Sequence, residues 1–382
     1  MLKITVDENI ANAEEVFSRL GKVELFPGRE ITNEILKDSV VLIVRSITNV
    51  DKKLLERTKV KFVGTATIGS DHIDAEYLKK KNIAFADAKG CNAEAVKEYI
   101  FTALAEVLIQ KNLKFKDLSL GIIGVGNIGS KVVECADALG MKTILNDPPL
   151  KRKTGYEIYR ELNEVLQADI VALHVPLNKN GIDKTFHLFD YKKLNQLKDN
   201  SVLLNSSRGS VIDNEALEKI IDKKNLTVIL DVWENEPEVN SSLLQKVFIG
   251  TPHIAGYSYE GKINGTIMIY SALCKFLNIK ENYSIELPKV DNPVIEINKF
   301  ESTEKTLRDI FGKIYEIKKD DKDMRIFLNE ESNLRRFNEK RYFDLLRKNY
   351  PLRREFSNYT VVVPKEEKEL LNILSAFRFT IA

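Results

Sequence analysis

Thiols are scarce in this chain: Cys91, Cys135 and Cys274 are the only three in 382 residues. An odd number of widely spaced cysteines builds neither a disulfide framework nor a tetrahedral metal site, so they are expected to be buried or incidental and no metal is expected. No apolar run approaches the roughly 20 residues that cross a bilayer. The opening MLKITVDENI reads as a strand ending in acidic and amide groups, unlike a basic region ahead of a cleavable apolar segment. These absences point to a cytoplasmic protein with no membrane partner. Charge of one sign is also lacking: 58 Lys and Arg against 56 Asp and Glu leave a net +2, which gives no reason to expect nucleic acid as a partner. Histidine is rare as well, and with four in the chain each can be weighed singly.

What is present is the composition of an ordinary globular protein, 43% hydrophobic and 30% charged, long enough for two or three domains. Residues 1 to about 90 alternate β-branched runs (KITVD, KVELF, VVLIVRS, VKFVGTAT, NIAFADA) with helical stretches, the rhythm of a parallel sheet with crossover helices. A long helix is expected from Asn92, as N-cap, through AEAVKEYIFTALAEVLIQ. A second βα series runs from LSLGIIGVGNIG through TILNDPP, ADIVALHVPL, SVLLNSSRG, TVILDVWE and VFIGTPHIAG. The expected class is therefore α/β: two Rossmann-like parallel-sheet domains separated by a cleft, one formed by residues 1–91 with 258–284 and the other by 92–257. The polar, Pro-marked KENYSIELPKVDNP reads as a linker. Beyond it residues 285–382 form a small α/β module, in which TLRDIFGKIYEI sets Leu307, Ile310, Phe311, Ile314 and Ile317 on one helical face.

Between an apolar strand and an amphipathic helix, Gly124, Gly126 and Gly129 stand in the spacing GxGxxG. The first glycine permits a tight turn, the second lets a pyrophosphate approach the backbone, and the third lets helix and strand pack closely. Amides around Asn127 and Ile128 would face the anion, aided by the helix dipole. A second strand, TILND, ends at Asp147, close to the roughly 20-residue separation at which this fingerprint places a ribose-binding acid. A carboxylate there repels a 2′-phosphate, so the expected cofactor is NAD.

Hydride transfer from a secondary alcohol needs a base for the hydroxyl proton, and a hydroxy acid needs a cation for its carboxylate. Arg208, Glu236 and His253 each lie just beyond a strand of the second series, where the carboxyl ends of an open sheet line a ligand crevice. Glu236 bonded to the imidazole would fix its tautomer, and Arg208 can hold a carboxylate bidentately. Asp231, ending TVILD, can accept a hydrogen bond from the nicotinamide carboxamide. Singly each has a plainer reading: a solvated loop acid, a surface arginine, a turn histidine. His174 reads as a strand residue with a satisfied ring, and neither His187 nor His72 shows a comparable strand-end Arg and Glu.

The runs GVGNIG, NSSRGSVID, LDVWENEP and GTPHIAGY resemble the D-isomer-specific 2-hydroxyacid dehydrogenases. The likeness to one branch of that family is closer, through VDEN, FVGTATIGSDHID, AKGCNAEAV, NDPP, TPHIAGYSYEGK and RKNYPLRREF, and spans nearly the whole chain. The resemblance implies His253 as proton donor or acceptor paired with Glu236, and Arg208 on the substrate. It implies cofactor contacts at Asp147, Val175, Ser206, Ser207, Asp231 and Gly256, and substrate contacts at Ser46, Thr67 and Tyr257. Val175 stands where threonine is common and Ser207 where cysteine is common. Without the resemblance, Ser46 and Thr67 read equally well as turn hydroxyls and Tyr257 as hinge packing. The C-terminal cluster Arg335, Arg336, Lys340, Arg341, Arg347, Lys348, Arg353 and Arg354, interleaved with aromatics, reads as a solvated helix face or as a homodimerisation surface whose arginines approach the partner's site. Two rivals share this scaffold: a dehydrogenase for another hydroxy acid with an amino-acid-sensing C-terminal module, and an NADH-responsive corepressor without catalysis.

Overall fold

The computed structural model describes residues 2–283, 285–297, 299–328, 339–351, 353–364 and 367–382. Two compact units share the chain, residues 1–92 with 258–289, and residues 93–257 with 290–382. Among the described residues no helix is long and apolar enough to cross a membrane.

The first unit is built on five parallel strands, β1 (Lys3–Asp7), β2 (Lys22–Phe26), β3 (Val41–Val44), β4 (Phe62–Thr65) and β5 (Ala84–Asp87), in the order β2-β1-β3-β4-β5. All four residues of β3 and of β4 are buried, as in strands covered on both faces. The helix Tyr259–Leu277 closes one face. Ser258 caps it, accepting from the Gly261 amide at 2.9 Å, and Asn278 ends it in the left-handed region. Gly64 in β4 makes room for that helix, since a Cβ there would stand 2.5 Å from Ile269.

The second unit carries β6 (Ser119–Ile123), β7 (Lys142–Asn146), β8 (Ile170–Leu173), β9 (Val202–Asn205), β10 (Thr227–Leu230) and β11 (Ile249–Gly250) in the order β11-β10-β9-β8-β6-β7, all parallel. Strand order reverses at β6, with β7 on one side and β8 on the other, which makes the carboxyl end of β6 the switch point of the sheet. The glycine loop leaves β6 at that point.

Residues 290–382 join this unit instead of standing apart. They contribute β12 (Val294–Glu296), β13 (Thr360–Val362) and β14 (Thr380–Ile381), a parallel sheet in chain order. The helix Thr303–Ile314 lies against the helix Ala93–Lys111. Phe311 stacks on Phe356 at 4.9 Å and meets Phe377 at 5.0 Å, while Phe377 stands edge-on to Phe101 at 5.1 Å. The helix from Ala93 is consequently buried nearly all round, which a one-sided connector would not be. Asn92 does not cap it, because its side-chain oxygen is buried without a hydrogen bond. The face expected to run through Ile317 breaks after Ile314, and Ile317 opens a separate helix, Ile317–Arg325. That helix seals the sheet edge: Asp321 accepts from the Gly250 amide at 2.7 Å, and Arg325 donates to the Leu244 and Val247 carbonyls. Of the C-terminal basic cluster, Arg335 and Arg336 lie outside the described residues, as does the Lys340 side chain.

Phe311 is fully buried in this shared core. Phe311→Ala is expected to lower the unfolding free energy of the second unit by about 3–5 kcal/mol, followed in urea through Trp233, the single tryptophan. A loss below about 1 kcal/mol would mean that the C-terminal segment does not share that core.

Candidate active site

The glycine loop has the geometry that a bound pyrophosphate requires. Gly124 adopts φ 89°, and a Cβ on it would strike the His174 carbonyl oxygen at 2.5 Å and Val175 Cγ1 at 2.9 Å. A Cβ on Gly129, the first residue of the helix Gly129–Ala138, would lie 2.0 Å from the Gly124 carbonyl oxygen. Gly126 by contrast faces open space, with nothing within 4 Å of its missing Cβ. Gly126 and Asn127 are exposed and Ile128 half-buried. Ser130, Lys131 and Val132 already donate to the Gly126 and Ile128 carbonyls, which leaves the amides ahead of them, at Asn127, Ile128 and Gly129, to face an anion at the helix N-terminus. Asp147 sits beside this cradle. Its Oδ2 accepts from the Val125 amide at 2.8 Å and its Oδ1 from Leu150 at 2.9 Å, capping the helix Pro148–Thr154. Each carboxylate oxygen keeps a lone pair, and the residue is only partly buried, which suits ribose hydroxyls. These residues fit a dinucleotide.

Arg208, Glu236 and His253 follow the carboxyl ends of three neighbouring parallel strands, β9, β10 and β11. His253 Nδ1 and Glu236 Oε1 are 2.5 Å apart. The other Glu236 oxygen accepts from the Trp233 amide at 3.2 Å. Burial would raise the Glu236 carboxyl, but the imidazole of His253 and then the guanidinium of Arg347 outweigh it and hold the group below the usual carboxylate range. Arg208 is half-buried, and its Nη1 donates to the Ser207 carbonyl at 2.7 Å. The turn before it is clamped by buried Asn205, whose Oδ1 accepts from the amide and hydroxyl of Ser207 and whose Nδ2 donates to the Arg208 carbonyl. Gly209 lets that turn press on the next loop, since a Cβ there would lie 2.0 Å from the Trp233 carbonyl. Any larger residue would drive Arg208 away from the Glu236 loop.

The His253 turn is held by Asp231, 1% exposed. Its Oδ1 accepts from Thr251 Oγ1 at 2.7 Å and the Ile254 amide at 2.8 Å, its Oδ2 from Ala255 at 2.9 Å, and its carbonyl from the His253 amide at 2.7 Å. Thr251 spends its proton on Asp231, so Tyr99 Oη, 2.8 Å away, must be the donor to Thr251. Asp231, expected to meet the nicotinamide carboxamide, thus has three of its carboxylate positions occupied by the turn. Trp233 is 2% exposed and its Nε1 donates to the Thr251 carbonyl, bolting the two loops together. Within this frame His253 holds φ 56°, a left-handed conformation unusual for a side chain of its size.

The remaining expected residues are distributed as follows. Val175 lines the glycine loop, and Ser206 and Ser207 are buried in the Asn205 turn, Ser206 Oγ without a partner. Gly256 and Tyr257 are half-buried in the turn closed by the Tyr257 amide on the Ile254 carbonyl. The Tyr257 ring stands edge-on to Tyr350 at 5.8 Å and has the Arg347 guanidinium 5.6 Å from its centroid. In the other unit Ser46 is exposed just past β3, and Thr67 Oγ1 lies 2.8 Å from Thr65 Oγ1 while donating to the Gly69 carbonyl.

Two sequence expectations are corrected here. The His174 ring is not satisfied: both nitrogens are buried without partners, and burial pushes its pKa down to about 3. His187 does have a carboxylate, Glu234, which also accepts from the Asn214 amide. A third correction concerns the C-terminal arginines. Arg347 and Arg353 turn into their own chain, where Arg353 is 6% exposed, and neither belongs to a solvated face. In the sequence nothing distinguishes them from exposed neighbours such as Arg341 and Lys348.

The sequence model of the D-isomer specific 2-hydroxyacid dehydrogenase NAD binding domain matches residues 97–255, and a domain of unknown function matches 287–376. The chain is 41% identical to an erythronate-4-phosphate dehydrogenase of Photorhabdus laumondii over 99% of both chains, and 42% identical to that of Proteus mirabilis over 94% of this chain and 95% of the relative. Among solved structures it resembles NAD+-bound 3-phosphoglycerate dehydrogenase from Entamoeba histolytica, with TM-score 0.61, 26% identity, 72% of this chain and 95% of that one covered. The fold is also that of Aquifex aeolicus D-lactate dehydrogenase in complex with NAD and lactic acid, at TM-score 0.59 and 23% identity over 72% and 95% of the two chains. With a glycine cradle built for NAD and relatives matching it from end to end, the chain belongs to the erythronate-4-phosphate dehydrogenases, a branch of the D-isomer specific 2-hydroxyacid dehydrogenase family.

Proposed function

We propose that the chain oxidises 4-phospho-D-erythronate at C2 to (R)-3-hydroxy-2-oxo-4-phosphooxybutanoate, a step toward pyridoxal 5′-phosphate. The observation that carries this reading is the 2.5 Å pair of His253 and Glu236 beyond the strand ends, in a chain whose near full-length relatives bear that enzyme's name. NAD, which Gly124, Gly126 and Gly129 would hold, would supply the hydride acceptor.

With Glu236 on Nδ1, that nitrogen keeps its proton and Nε2 is left with the lone pair that takes the C2 hydroxyl proton. As the imidazolium forms, the ionised Glu236 stabilises it. Arg208 receives the substrate carboxylate as a fork and draws charge from the neighbouring oxygen. Tyr257, Ser46 and Thr67 are proposed substrate contacts through their hydroxyls. Asp147 takes the adenosine ribose and disfavours a 2′-phosphate, while Gly124, Gly126, Asn127, Ile128 and Gly129 hold the pyrophosphate. Val175, Ser206, Ser207 and Gly256 complete the cofactor contacts, and Asp231 acts on the cofactor chiefly through the turn it fixes. The same reading has the enzyme working in the cytoplasm as a homodimer.

Purified protein with NAD, 4-phosphoerythronate and a 2-oxo acid as electron sink is expected to convert the substrate; no conversion with or without the sink would refute the substrate. His253→Ala is expected to lower kcat by about 10²–10⁴-fold while NAD affinity, read by calorimetry, stays close to wild type. Unchanged turnover would remove His253 from proton transfer. Light scattering at working concentration is expected to return twice the chain mass, and a monomer would refute the dimer.

A further inference from the structure

The C-terminal segment reaches the catalytic turn itself. Arg353 Nη2 donates to the Ala255 carbonyl at 2.5 Å and to the Ala95 carbonyl at 3.2 Å. Its guanidinium lies 4.2 Å from the centroid of the Tyr315 ring. Tyr315 in turn donates to Asp320, which also accepts from Tyr350, each at 2.9 Å. Both backbone groups of Ala255 are therefore held, its N–H by Asp231 and its carbonyl by Arg353. Ala255 stands two residues after His253 and immediately before Gly256.

Stability alone is a poor reason for this arginine. Its Nε and Nη1 are buried without hydrogen-bond partners, and the carboxylates of Glu98 and Asp320, which favour its charge against burial, satisfy neither nitrogen. The turn, on the other hand, needs an outside hold. It follows β11, a two-residue strand at the edge of the sheet, and it carries His253 in a left-handed conformation. A strained residue keeps its geometry only where its surroundings over-determine it.

We propose that Arg353 is a positioning residue for hydride transfer, fixing the turn that carries His253 and Gly256 by holding the Ala255 carbonyl. The proposal rests on His253 as the proton acceptor. It makes residues 290–382 part of the catalytic apparatus of their own chain, whatever their place in a dimer.

The test compares wild type with Arg353→Lys, which keeps the charge and loses the fork, and Arg353→Met, which loses both. Arg353→Met is expected to lower kcat by on the order of 10²-fold, with Arg353→Lys in between, while KM and NAD affinity hold and a primary deuterium isotope effect at C2 increases. Amide hydrogen exchange should quicken in residues 251–257 and stay at wild-type rates in the strands of the sheet. Should Arg353→Met fail to fold, Tyr315→Leu removes the ring beneath the guanidinium and should shift kcat and exchange in the same direction. Wild-type kcat per NAD-binding site in Arg353→Lys and Tyr315→Leu overturns the proposal. So does activity lost in step with faster exchange throughout the unit, which marks a structural role only. If the wild type turns over no 2-hydroxy acid, the proposed function fails, while exchange in 251–257 still decides whether Arg353 fixes the turn.

Discussion

A single buried carboxylate organises the carboxyl end of the second sheet around His253. Asp231 takes three hydrogen bonds from residues 251–255 on its side chain and a fourth, from His253, on its carbonyl. Bonds to a charged acceptor contribute about 1.5–3 kcal/mol each, whereas a left-handed non-glycine residue costs of order 1–3 kcal/mol. The bonds outweigh the strain, and His253 is held where Glu236 can meet it. A turn without that carboxylate would relax toward ordinary φ and separate the pair.

Close backbone packing carries this order from strand to strand. Gly209 sets the Arg208 turn against Trp233, Trp233 is bonded to Thr251, and Thr251 is bonded to Asp231. Asn205 repeats the Asp231 device one strand over, closing the Arg208 turn on its own side chain. On the far side of the switch point, Asp147 ties the glycine loop to the end of β7 through the Val125 amide. Each loop end is therefore fixed by a short polar side chain at its strand terminus, and the His253 turn is held in addition by Arg353 on the Ala255 carbonyl.

Much of this was legible in the sequence, for physical reasons that differ by residue. GxGxxG and Asp147 are readable because their spacing follows from one βαβ unit, and β-branched runs mark strands buried on both faces. Arg208, Glu236 and His253 are visible as chemistry-bearing residues after such runs. Asp231, Asn205 and Thr251 were hidden in their structural roles, since which donors a strand-end carboxylate or amide collects depends on loop paths that periodicity does not encode. The pairing of His187 with Glu234 was missed for the same reason. The burial of Arg353 and of the helix from Ala93 was illegible because both depend on long-range packing of residues 290–382 against residues 93–257, and the local pattern of 290–382 looks like that of a separate module.

One histidine, set by one carboxylate, is proposed to take the substrate proton beside the cofactor. A crystal structure of the protein with NAD and an unreactive 2-hydroxy acid measures it most directly. The pyrophosphate is expected against Gly126, the ligand carboxylate on Arg208 and the ligand hydroxyl within about 3 Å of His253 Nε2. A ligand hydroxyl held instead by the second His–Glu pair, His187 and Glu234, would contradict it.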